Sequence, residues 1–313
     1  TETGNRHSPS ALCLDCPLLH NGLYSLAIPQ LSSVDILFAD LSVRLTHVVF
    51  VSKREWEMLE VFENKVVVVT GAGRGIGRGI ACRLATLGAQ LAILDLDESG
   101  MRETVKLIEA EGVTAIAYKC DITNEDEVVT TFQNIVTDFG RVDGLVNNAG
   151  TIRDGLMVKA KGGKVVSKLS LDDFEFVLGV CLRGAFLCAR EGVSSMIESG
   201  CEAGVIINIS SGAFRGNFGQ TNYSAAKAGL VAMSRVWAKE YGRFNIRSMI
   251  IAPGAVETDL LRSMSADSLT ALAATIPLRR IGQIENIAQA VVQIFENDYL
   301  TGSILEVNGG MTV

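Results

Sequence analysis

The feature that most constrains this chain is a glycine-rich stretch at residues 70–77, TGAGRGIG, which follows an apolar run at residues 66–69. The apolar run predicts a buried strand and the pattern beyond the glycines predicts a helix, so the glycines form the turn between them. Glycine lets a backbone approach a ligand closely, and a helix N-terminus offers free N–H groups and a favourable dipole to an anion. The stretch therefore predicts a phosphate-binding turn.

An acidic residue makes this interpretation more specific. The next apolar run ends in Asp95, at about the 20-residue spacing at which a carboxylate can accept hydrogen bonds from the ribose of a dinucleotide. The glycine spacing, set by Gly71, Gly75 and Gly77, is G-x-x-x-G-x-G rather than the common G-x-G-x-x-G. A glycine-rich stretch alone is weak evidence. The strand before it, the helix after it and the acid together predict a dinucleotide site.

Composition excludes several other classes. The chain has 313 residues, of which 48% are hydrophobic and 20% charged, so it can bury a sizeable core. The net charge of −7, with no basic cluster, argues against nucleic acid as a partner. No apolar run has the length of a membrane span, so we expect no membrane partner. The three histidines all precede residue 60, which excludes histidine catalysis from the rest of the chain.

The seven cysteines predict neither a disulfide framework nor a metal site. Their number is odd and most lie in apolar stretches, so we expect free thiols in a reducing, cytoplasmic compartment. Cys13 and Cys16 form a C-x-x-C pair, but no second pair or histidine cluster follows at the spacing of a zinc site. A chance pair is therefore favoured over a metal or redox site.

Residues 1–57 differ from the rest of the chain, because they are rich in Ser and Leu and show little periodicity. They match neither a transit peptide, since they carry several acids, nor a signal peptide, since no long apolar block follows a positive start. We predict that Met58 is the functional start and that the upstream residues are an artificial addition or part of an over-long reading frame. A regulatory or assembly arm is the alternative. Residues 58–313 are expected to form one domain.

From residue 65 onward, short apolar runs bounded by Gly, Asp or Asn alternate with helical patterns. The predicted strands are residues 65–70, 90–95, 114–120, 143–147, 204–210, 246–251 and 303–308. The predicted helices are residues 76–88, 98–111, 124–139, 173–198 and 223–241. This alternation predicts an α/β fold of the Rossmann type, with a doubly wound parallel sheet of about seven strands. The residues that follow strand ends should line one crevice: Gly71, Asp95, Asp121, Asn148, Ser211 and Pro253.

Tyr223 and Lys227 lie at the start of the last predicted helix and share one face at i, i+4 spacing. An ammonium beside a phenol favours the phenolate, which makes a tyrosine usable as a general acid or base. The spacing also occurs by chance, and an amphipathic helix with a solvated lysine is the alternative. Ser210 and Ser211, at the end of the preceding strand, supply a hydroxyl that can hold a substrate oxygen against the tyrosine.

With these motifs in this order, residues from about 61 to 313 resemble the short-chain dehydrogenase/reductase family, of the single-domain type related to 3-oxoacyl-[acyl-carrier-protein] reductases. The matching motifs are the glycine turn, Asp121-Ile122, Asn147-Asn148-Ala149-Gly150, the serine, the Tyr/Lys pair and residues 253–258, PGAVET. The resemblance implies an NAD(P)-dependent oxidoreductase that transfers a hydride between nicotinamide and a secondary alcohol or ketone. It also implies a homotetramer assembled through the helices near 173–198 and 223–241.

The resemblance assigns roles by position. The residues implied for cofactor binding are Gly71, Arg74, Gly75, Ile76, Gly77, Asp95, Asp121, Ile122, Asn148, Ala149, Gly150, Tyr223, Lys227, Pro253, Val256 and Thr258. The implied catalytic residues are Ser211, Tyr223 and Lys227. In this scheme Tyr223 transfers the proton, Lys227 binds the nicotinamide ribose and tunes Tyr223, and the serine polarises the carbonyl. No metal is implied.

Two departures from the family pattern affect the site. The family usually carries an asparagine in the helix before the serine, where it holds a water that links the lysine to solvent. Cys181 stands there, and a thiol is a weaker hydrogen-bonding group. We expect a packing thiol rather than a nucleophile, since no base accompanies it. The second departure is a loop one residue short, so that counting back from Tyr223 gives Ser210, whereas the strand pattern gives Ser211. We favour Ser211, because the strand end fixes side-chain direction.

The charged residues near the end of the second strand predict which of the two nicotinamide cofactors is bound. Asp95 suits two free ribose hydroxyls and repels a 2′-phosphate, and no basic residue follows it. Arg74 could contact a phosphate but also suits the unphosphorylated cofactor. We predict NAD rather than NADP, unlike the fatty-acid-synthesis reductases that the resemblance associates with NADPH.

The substrate is less constrained than the cofactor. Residues 159–168 look like an insertion with four lysines, either a solvated hairpin or a basic loop that attracts a phosphate-bearing acyl thioester. Residues 257–280 occupy the place of the family's substrate lid, and their apolar side chains suggest a modestly hydrophobic substrate. We predict an alcohol dehydrogenase or ketone reductase, including 3-hydroxyacyl and 3-oxoacyl thioesters. The alternatives are an epimerase or dehydratase on the same scaffold and a non-catalytic dinucleotide-binding sensor or assembly subunit.

Overall fold

The computed structural model describes residues 34–36, 50–52, 61–262 and 264–312. The chain divides into two compact units, Thr1–Glu57 and Met58–Val313. The first unit contains strands β1 (Val34–Ile36) and β2 (Phe50–Ser52), which pair antiparallel. The interpretation of Cys13 and Cys16 falls outside the described residues.

The second unit begins with three strand–helix pairs and a fourth strand. These are β3 (Val66–Thr70), α1 (Gly75–Ala85), β4 (Gln90–Asp95), α2 (Glu98–Glu109), β5 (Ala115–Lys119), α3 (Glu125–Phe139) and β6 (Gly144–Asn147). A hairpin follows, formed by β7 (Val158–Lys161) and β8 (Lys164–Lys168). The chain continues through α4 (Leu171–Leu178), a π-helical segment (Gly179–Gly184), α5 (Ala185–Glu198), β9 (Gly204–Ile209), α6 (Thr221–Tyr241) and β10 (Ile246–Pro253). It ends with α7 (Asp259–Arg262), α8 (Ala266–Thr275), α9 (Ile284–Glu296) and β11 (Ile304–Val307).

The large sheet confirms the predicted Rossmann-type architecture. Its seven strands run in the order β11-β10-β9-β6-β3-β4-β5, and every neighbouring pair is parallel. The chain winds outward in one direction from β3 and in the other from β6. The topological switch point therefore lies between β3 and β6, where ligands bind beyond the carboxyl ends of the strands.

Helices cover both faces of the sheet, as the unbroken apolar strands predict. All five residues of β3 are buried. Val67 and Val69 pack into a core layer that α1 and α9 share, whereas Val68 faces the layer formed with α3, α5 and α6. The period-two alternation of a strand thus divides one valine run between two cores.

The predicted helix at 173–198 is interrupted. It consists of α4 and α5 with the π-helical segment Gly179–Gly184 between them, and this segment contains Cys181. Hydrophobic periodicity continues through the interruption, which is why sequence reasoning gave one helix. Such π segments occur mostly at functional sites, because the widened turn re-aims a side chain.

An acidic side chain anchors the start of β6 in the core. Asp143 is 1% exposed, and its carboxylate accepts hydrogen bonds from the Val66 backbone N–H (3.0 Å) and from Arg141 (2.6 and 2.8 Å). We expect Asp143→Ala to lower the free energy of unfolding by about 3 kcal/mol, because a buried N–H and a guanidinium both lose their acceptor. Urea unfolding measures this change. Asp298→Ala, at an exposed position, serves as the control, and equal losses in both variants would contradict the anchoring role.

In the described part of the chain, no helix combines the length and apolarity that a membrane crossing requires. The same residues contain no group of three or more His, Cys, Asp or Glu side chains arranged to hold a metal ion.

Candidate active site

The glycine turn joins β3 to α1 in a conformation that only glycine adopts easily. Gly71 and Gly75 have φ values of +64° and +57°. A Cβ added to Gly71 would lie 2.8 Å from the Cα of Ala149, so the turn packs directly against the segment after β6. A Cβ on Gly77 would clash with the Gly71 carbonyl. By contrast, a Cβ on Gly75 would meet no atom within 4 Å, so the N-terminal end of α1 faces open space where a phosphate can approach.

The half-buried Arg78 and the buried Thr104 hold the back of this turn, and the sequence patterns did not identify this pair. Arg78 donates to the carbonyl of Gly73 and, through Nε, to Thr104 Oγ1 at 3.0 Å. The Thr104 hydroxyl is fully buried and donates to the carbonyl of Ala72 at 2.8 Å. Carbonyls that would repel an anion are thereby occupied by donors from α1 and α2. Nothing in the local spacing distinguishes Arg78 from an ordinary surface arginine, so no sequence signal could have identified it.

Asp95 ends β4 with its carboxylate directed at the turn. Oδ2 accepts the N–H of Gly73 at 2.8 Å, and Oδ1 accepts the N–H groups of Leu96 and Asp97 at 2.7 and 3.0 Å. These bonds fix the orientation of the half-buried carboxylate, and Oδ2, which accepts one of them, retains acceptor capacity. A Cβ at position 73 would lie 2.9 Å from Oδ2, which explains why a glycine faces this acid.

Arg74 precedes α1 as its exposed N-cap residue, with no side-chain capping bond. The pKa of the Asp97 carboxyl is lowered mainly by the hydrogen bond from the Gly100 N–H and by the hydrogen bond from the Ser99 side chain. The positive charge of Arg74 lowers it weakly. Ile76 is half-buried in the first turn of α1. Arg74 therefore lies on the solvent side of the turn.

Asp121 and Ile122 follow β5, the strand that pairs with β4 and ends opposite Asp95. The Asp121 carboxylate accepts hydrogen bonds from the N–H and hydroxyl of Thr123 (2.9 and 2.8 Å), which shapes the loop into a turn. Ile122 is buried, and a Cβ on Gly184 would lie 2.7 Å from its Cδ1. Its side chain thus packs against the end of the π-helical segment.

The segment after β6 is held against the glycine turn. The N–H groups of Asn148 and Ala149 both donate to Thr70 Oγ1, at 3.1 and 3.0 Å. The Asn148 amide donates to the carbonyls of Thr70 and Gly71, at 3.0 and 3.1 Å. The two halves of the sheet are therefore linked at the switch point itself.

Lys227 and Tyr223 lie on α6 beside the end of β9. Lys227 is 3% exposed, and its Nζ donates to the Ile209 carbonyl at 2.8 Å. The same Nζ lies 5.5 Å from the centre of the Tyr223 ring, and the ring is half-buried. An ammonium has three donors, and one bond to a described residue leaves capacity for ligand hydroxyls.

The two candidate serines have different surroundings. Ser210 is 3% exposed and its hydroxyl donates to the Lys227 carbonyl at 3.2 Å, so it joins β9 to α6. Ser211 is half-buried and its Oγ accepts the N–H of Ala213 at 3.2 Å, at the start of the short helix Gly212–Arg215. Among the described residues, no hydrogen bond donated by the Ser211 hydroxyl is found, which leaves its proton for a ligand. This arrangement supports Ser211 as the serine available to a substrate.

Cys181 lies in the wall of the same site. Its Sγ donates to the Thr151 carbonyl at 3.3 Å and accepts the Thr151 N–H at 3.4 Å. A Cβ on Gly150 would lie 3.7 Å from both Cys181 Sγ and Lys227 Nζ, which places the thiol close to the lysine. The thiol is 1% exposed and both of its hydrogen-bonding functions serve the backbone, which supports a packing role.

The segment after β10 forms the remaining side of the crevice. Pro253 is the buried last residue of β10. Val256 is 5% exposed and pairs with Gly282 as an isolated bridge. Thr258 is half-buried, and its carbonyl accepts the Arg262 N–H at 2.9 Å. The topology therefore places all the strand-end residues expected from the sequence at one edge of the sheet.

A known family model covers most of this unit. Residues 71–312 match the model described as enoyl-(acyl carrier protein) reductase. The chain belongs to the short-chain dehydrogenase/reductase family.

The proteins to which this chain is similar include several named as reductases. Carbonyl reductase family member 4 of Xenopus tropicalis is 36% identical over 248 residues, which span 79% of this chain and 98% of the relative. A human 3-oxoacyl-[acyl-carrier-protein] reductase is 37% identical over 249 residues, with the same coverage of both chains. A solved short-chain type dehydrogenase/reductase from Mycobacterium marinum has a TM-score of 0.74 at 26% identity, and covers 82% of this chain and 98% of that one.

The family binds a nicotinamide dinucleotide, and the crevice suits one. Open space lies at the N-terminal end of α1, where a pyrophosphate would meet free N–H groups. Asp95 has acceptor capacity for ribose hydroxyls, and the buried ammonium of Lys227 has unused donors at the other end of the crevice. The helix N–H groups, the Asp95 carboxylate and the Lys227 ammonium are therefore placed to meet the pyrophosphate, the adenosine ribose and the nicotinamide ribose of a dinucleotide.

Proposed function

We propose that this short-chain dehydrogenase/reductase is an NAD(H)-dependent oxidoreductase that interconverts a secondary alcohol and a ketone, with 3-hydroxyacyl and 3-oxoacyl thioesters as the substrate class. The observation that carries the proposal is that Ser211 directly follows β9, whose end is hydrogen-bonded to α6 at the buried Lys227, one helical turn from Tyr223. Asp95, oriented by three backbone N–H groups, supports NAD, because a fixed carboxylate repels a 2′-phosphate.

In this mechanism the bound nicotinamide supplies or accepts the hydride. The Ser211 hydroxyl donates a hydrogen bond to the carbonyl oxygen of the substrate and holds it beside Tyr223. The Tyr223 phenol gives its proton to that oxygen during reduction and takes it back during oxidation. The Lys227 ammonium stabilises the phenolate that remains, and the Ile209 carbonyl fixes the position of the ammonium.

The test is fluorescence titration with NADH and with NADPH, followed by turnover of acetoacetyl-coenzyme A. Tight NADH binding with turnover supports the proposal. NADH binding without turnover across acyl thioesters, sugar, cyclic and steroid ketones would favour a dinucleotide-binding sensor or assembly subunit. Tight binding of NADPH alone would contradict the assignment of NAD.

The lysine-rich insertion forms an exposed hairpin next to this site. Gly162 and Gly163 provide its turn, and every residue of β7 and β8 is exposed. The register places Lys159, Lys161 and Lys164 on one face. The base of the hairpin is fixed by the Gly155 N–H, which donates to the Gly219 carbonyl at 2.8 Å, four residues before Tyr223.

We expect Glu substitution of Lys159, Lys161 and Lys164 together to lower kcat/KM for acetoacetyl-coenzyme A about tenfold at low salt, because the face would repel rather than attract the phosphates. The phosphate-free acetoacetyl-N-acetylcysteamine should react as before. The control replaces the exposed Lys106 and Lys239 with Glu. An unchanged kcat/KM for acetoacetyl-coenzyme A would identify the hairpin as a solvated element without a role in binding, and equal losses with both thioesters would also contradict attraction of the phosphates.

We propose that residues 58–313 form the catalytic domain and fold without residues 1–57, in line with the compact unit Met58–Val313. A protein that begins at Met58 is expected to retain NADH binding, turnover and thermal stability. The measurement compares it with the full chain by fluorescence titration and thermal unfolding. Loss of folding in the shortened protein would instead support a structural arm.

We propose a homotetramer, by analogy with the family, assembled through α4, α5 and α6. Phe176, Phe186 and Val236 support this arrangement, because these apolar side chains on the three helices are 42–49% exposed. We also assign the protein to the cytoplasm, and the free state of all five described cysteines accords with a reducing compartment.

A further inference from the structure

Asn222, the residue before Tyr223, is fully buried and joins three segments of the active site. Its Nδ2 donates to the carbonyl of Arg153 at 2.9 Å and to the carbonyl of Asp173 at 3.2 Å. Its Oδ1 accepts the Tyr223 N–H at 2.8 Å. One side-chain amide therefore connects the loop after β6, the first turn of α4 and the start of α6, with both N–H donors in use.

The start of α6 depends on this amide. Helices begin with N–H groups that have no intrahelical acceptor, and the N-cap residue Gln220 makes no side-chain capping bond. Asn222 supplies an acceptor from within the first turn, at the N–H of Tyr223 itself. The backbone of Tyr223 is therefore held by a group that is anchored to two other segments.

The same contacts set the space around the Tyr223 ring. The ring packs against a small cluster formed by Val177 of α4, Cys181 of the π-helical segment and Ala226 of α6. The bond from Asn222 to the Asp173 carbonyl fixes the first turn of α4 against α6, on the side where the ring lies. A shift between these helices would move the phenol relative to Ser211.

We propose that Asn222 is a positioning residue for proton transfer: it holds the phenol of Tyr223 at reacting distance from the substrate oxygen by locking α6 to α4 and to the loop after β6. The proposal rests on the proposed function of Tyr223 as the proton donor. Asn222 touches neither substrate nor cofactor in this scheme. Its effect should appear in the chemical step, where a displacement of about 1 Å can cost about 100-fold in rate.

The test compares Asn222→Ala with a matched control on the same helix. Ser234 is also fully buried on α6, and its Oγ lies 2.8 Å from Ser248 Oγ. We expect Asn222→Ala to lower kcat for acetoacetyl-coenzyme A reduction about 100-fold, with KM and the Kd for NADH changed by less than about threefold. Ser234→Ala should lose thermal stability but keep kcat. If Asn222→Ala does not fold, Asn222→Gln replaces it, because its amide is displaced by one methylene group.

A second readout does not depend on turnover. The chain has five tyrosines, and ¹³Cζ labelling with Tyr223→Phe as the assignment standard identifies the Tyr223 signal. We expect this signal to shift in Asn222→Ala and to stay in place in Ser234→Ala. A wild-type protein that reduces no ketone would overturn the proposed function, and the NMR shift would still decide the positioning role. An unmoved signal, or a kcat that falls no further than in the control, would overturn the inference.

Discussion

Tyr223→Phe is expected to lower kcat for ketone reduction about 10²- to 10⁴-fold, the loss typical when a general acid is removed. The substitution deletes one oxygen and leaves the ring in its cluster with Val177 and Ala226. The Kd for NADH should therefore remain close to that of the unchanged protein. Stopped-flow or steady-state measurement of NADH oxidation, combined with fluorescence titration, separates the chemical step from binding.

Tyr118→Phe is the matched control for this experiment. Tyr118 lies on β5, and its hydroxyl donates to Asp138 Oδ2 at 2.7 Å. Burial is the larger cause that raises the pKa of Tyr118, and the hydrogen bond to Asp138 is the second. Loss of this hydroxyl should change stability slightly and leave kcat intact. Full activity in Tyr223→Phe would mean that the proton comes from another group, and the proposed mechanism would fail.

Asp95→Ala is expected to lower the ratio of kcat/KM with NADH to kcat/KM with NADPH about 100-fold. Two effects act in the same direction, because NADH loses a charged hydrogen-bond partner while NADPH loses a repulsive carboxylate. The measurement is steady-state turnover with each cofactor under saturating ketone. Gly73, Leu96 and Asp97 also lose an acceptor for their N–H groups, so the variant should be less stable.

Two companion variants separate charge from structure. Asp95→Asn keeps the shape of the side chain and one oxygen acceptor, so it should shift the ratio with a smaller loss of stability. Asp97→Asn removes a neighbouring exposed charge and retains a favourable N-cap residue, so the ratio should stay as in the unchanged protein. If Asp95→Ala left the ratio unchanged, cofactor choice would depend on another group, and Arg74, exposed at the start of α1, would be the next residue to test.

The sheet and its switch point were predictable because their signals are local. Each strand is a short apolar run with a polar residue or glycine after it, and the order of helices and strands specifies a parallel sheet. The positions of Gly71, Asp95 and Asn148 at one edge follow from that topology alone. The Tyr223/Lys227 pair was recognisable by its spacing on one helix.

Long-range hydrogen bonds could not be predicted in the same way. Arg78 reaches Thr104 on the next helix, and Asn222 reaches Arg153 and Asp173, which are far away in sequence. The type of a residue does not indicate which distant residue it will form a hydrogen bond with. The π-helical segment was missed for another reason, since one widened turn leaves the hydrophobic periodicity on both sides of it intact.

Many of the bonds that hold the side chains in and around this site end on main-chain atoms. Lys227 is held by the Ile209 carbonyl, Ser210 by the Lys227 carbonyl, and Asn222 by the carbonyls of Arg153 and Asp173. A carbonyl is present whichever side chain its residue carries. The neighbours of these residues are thus free to diverge while the geometry persists, which accords with the fold that this chain shares with a solved relative at 26% identity.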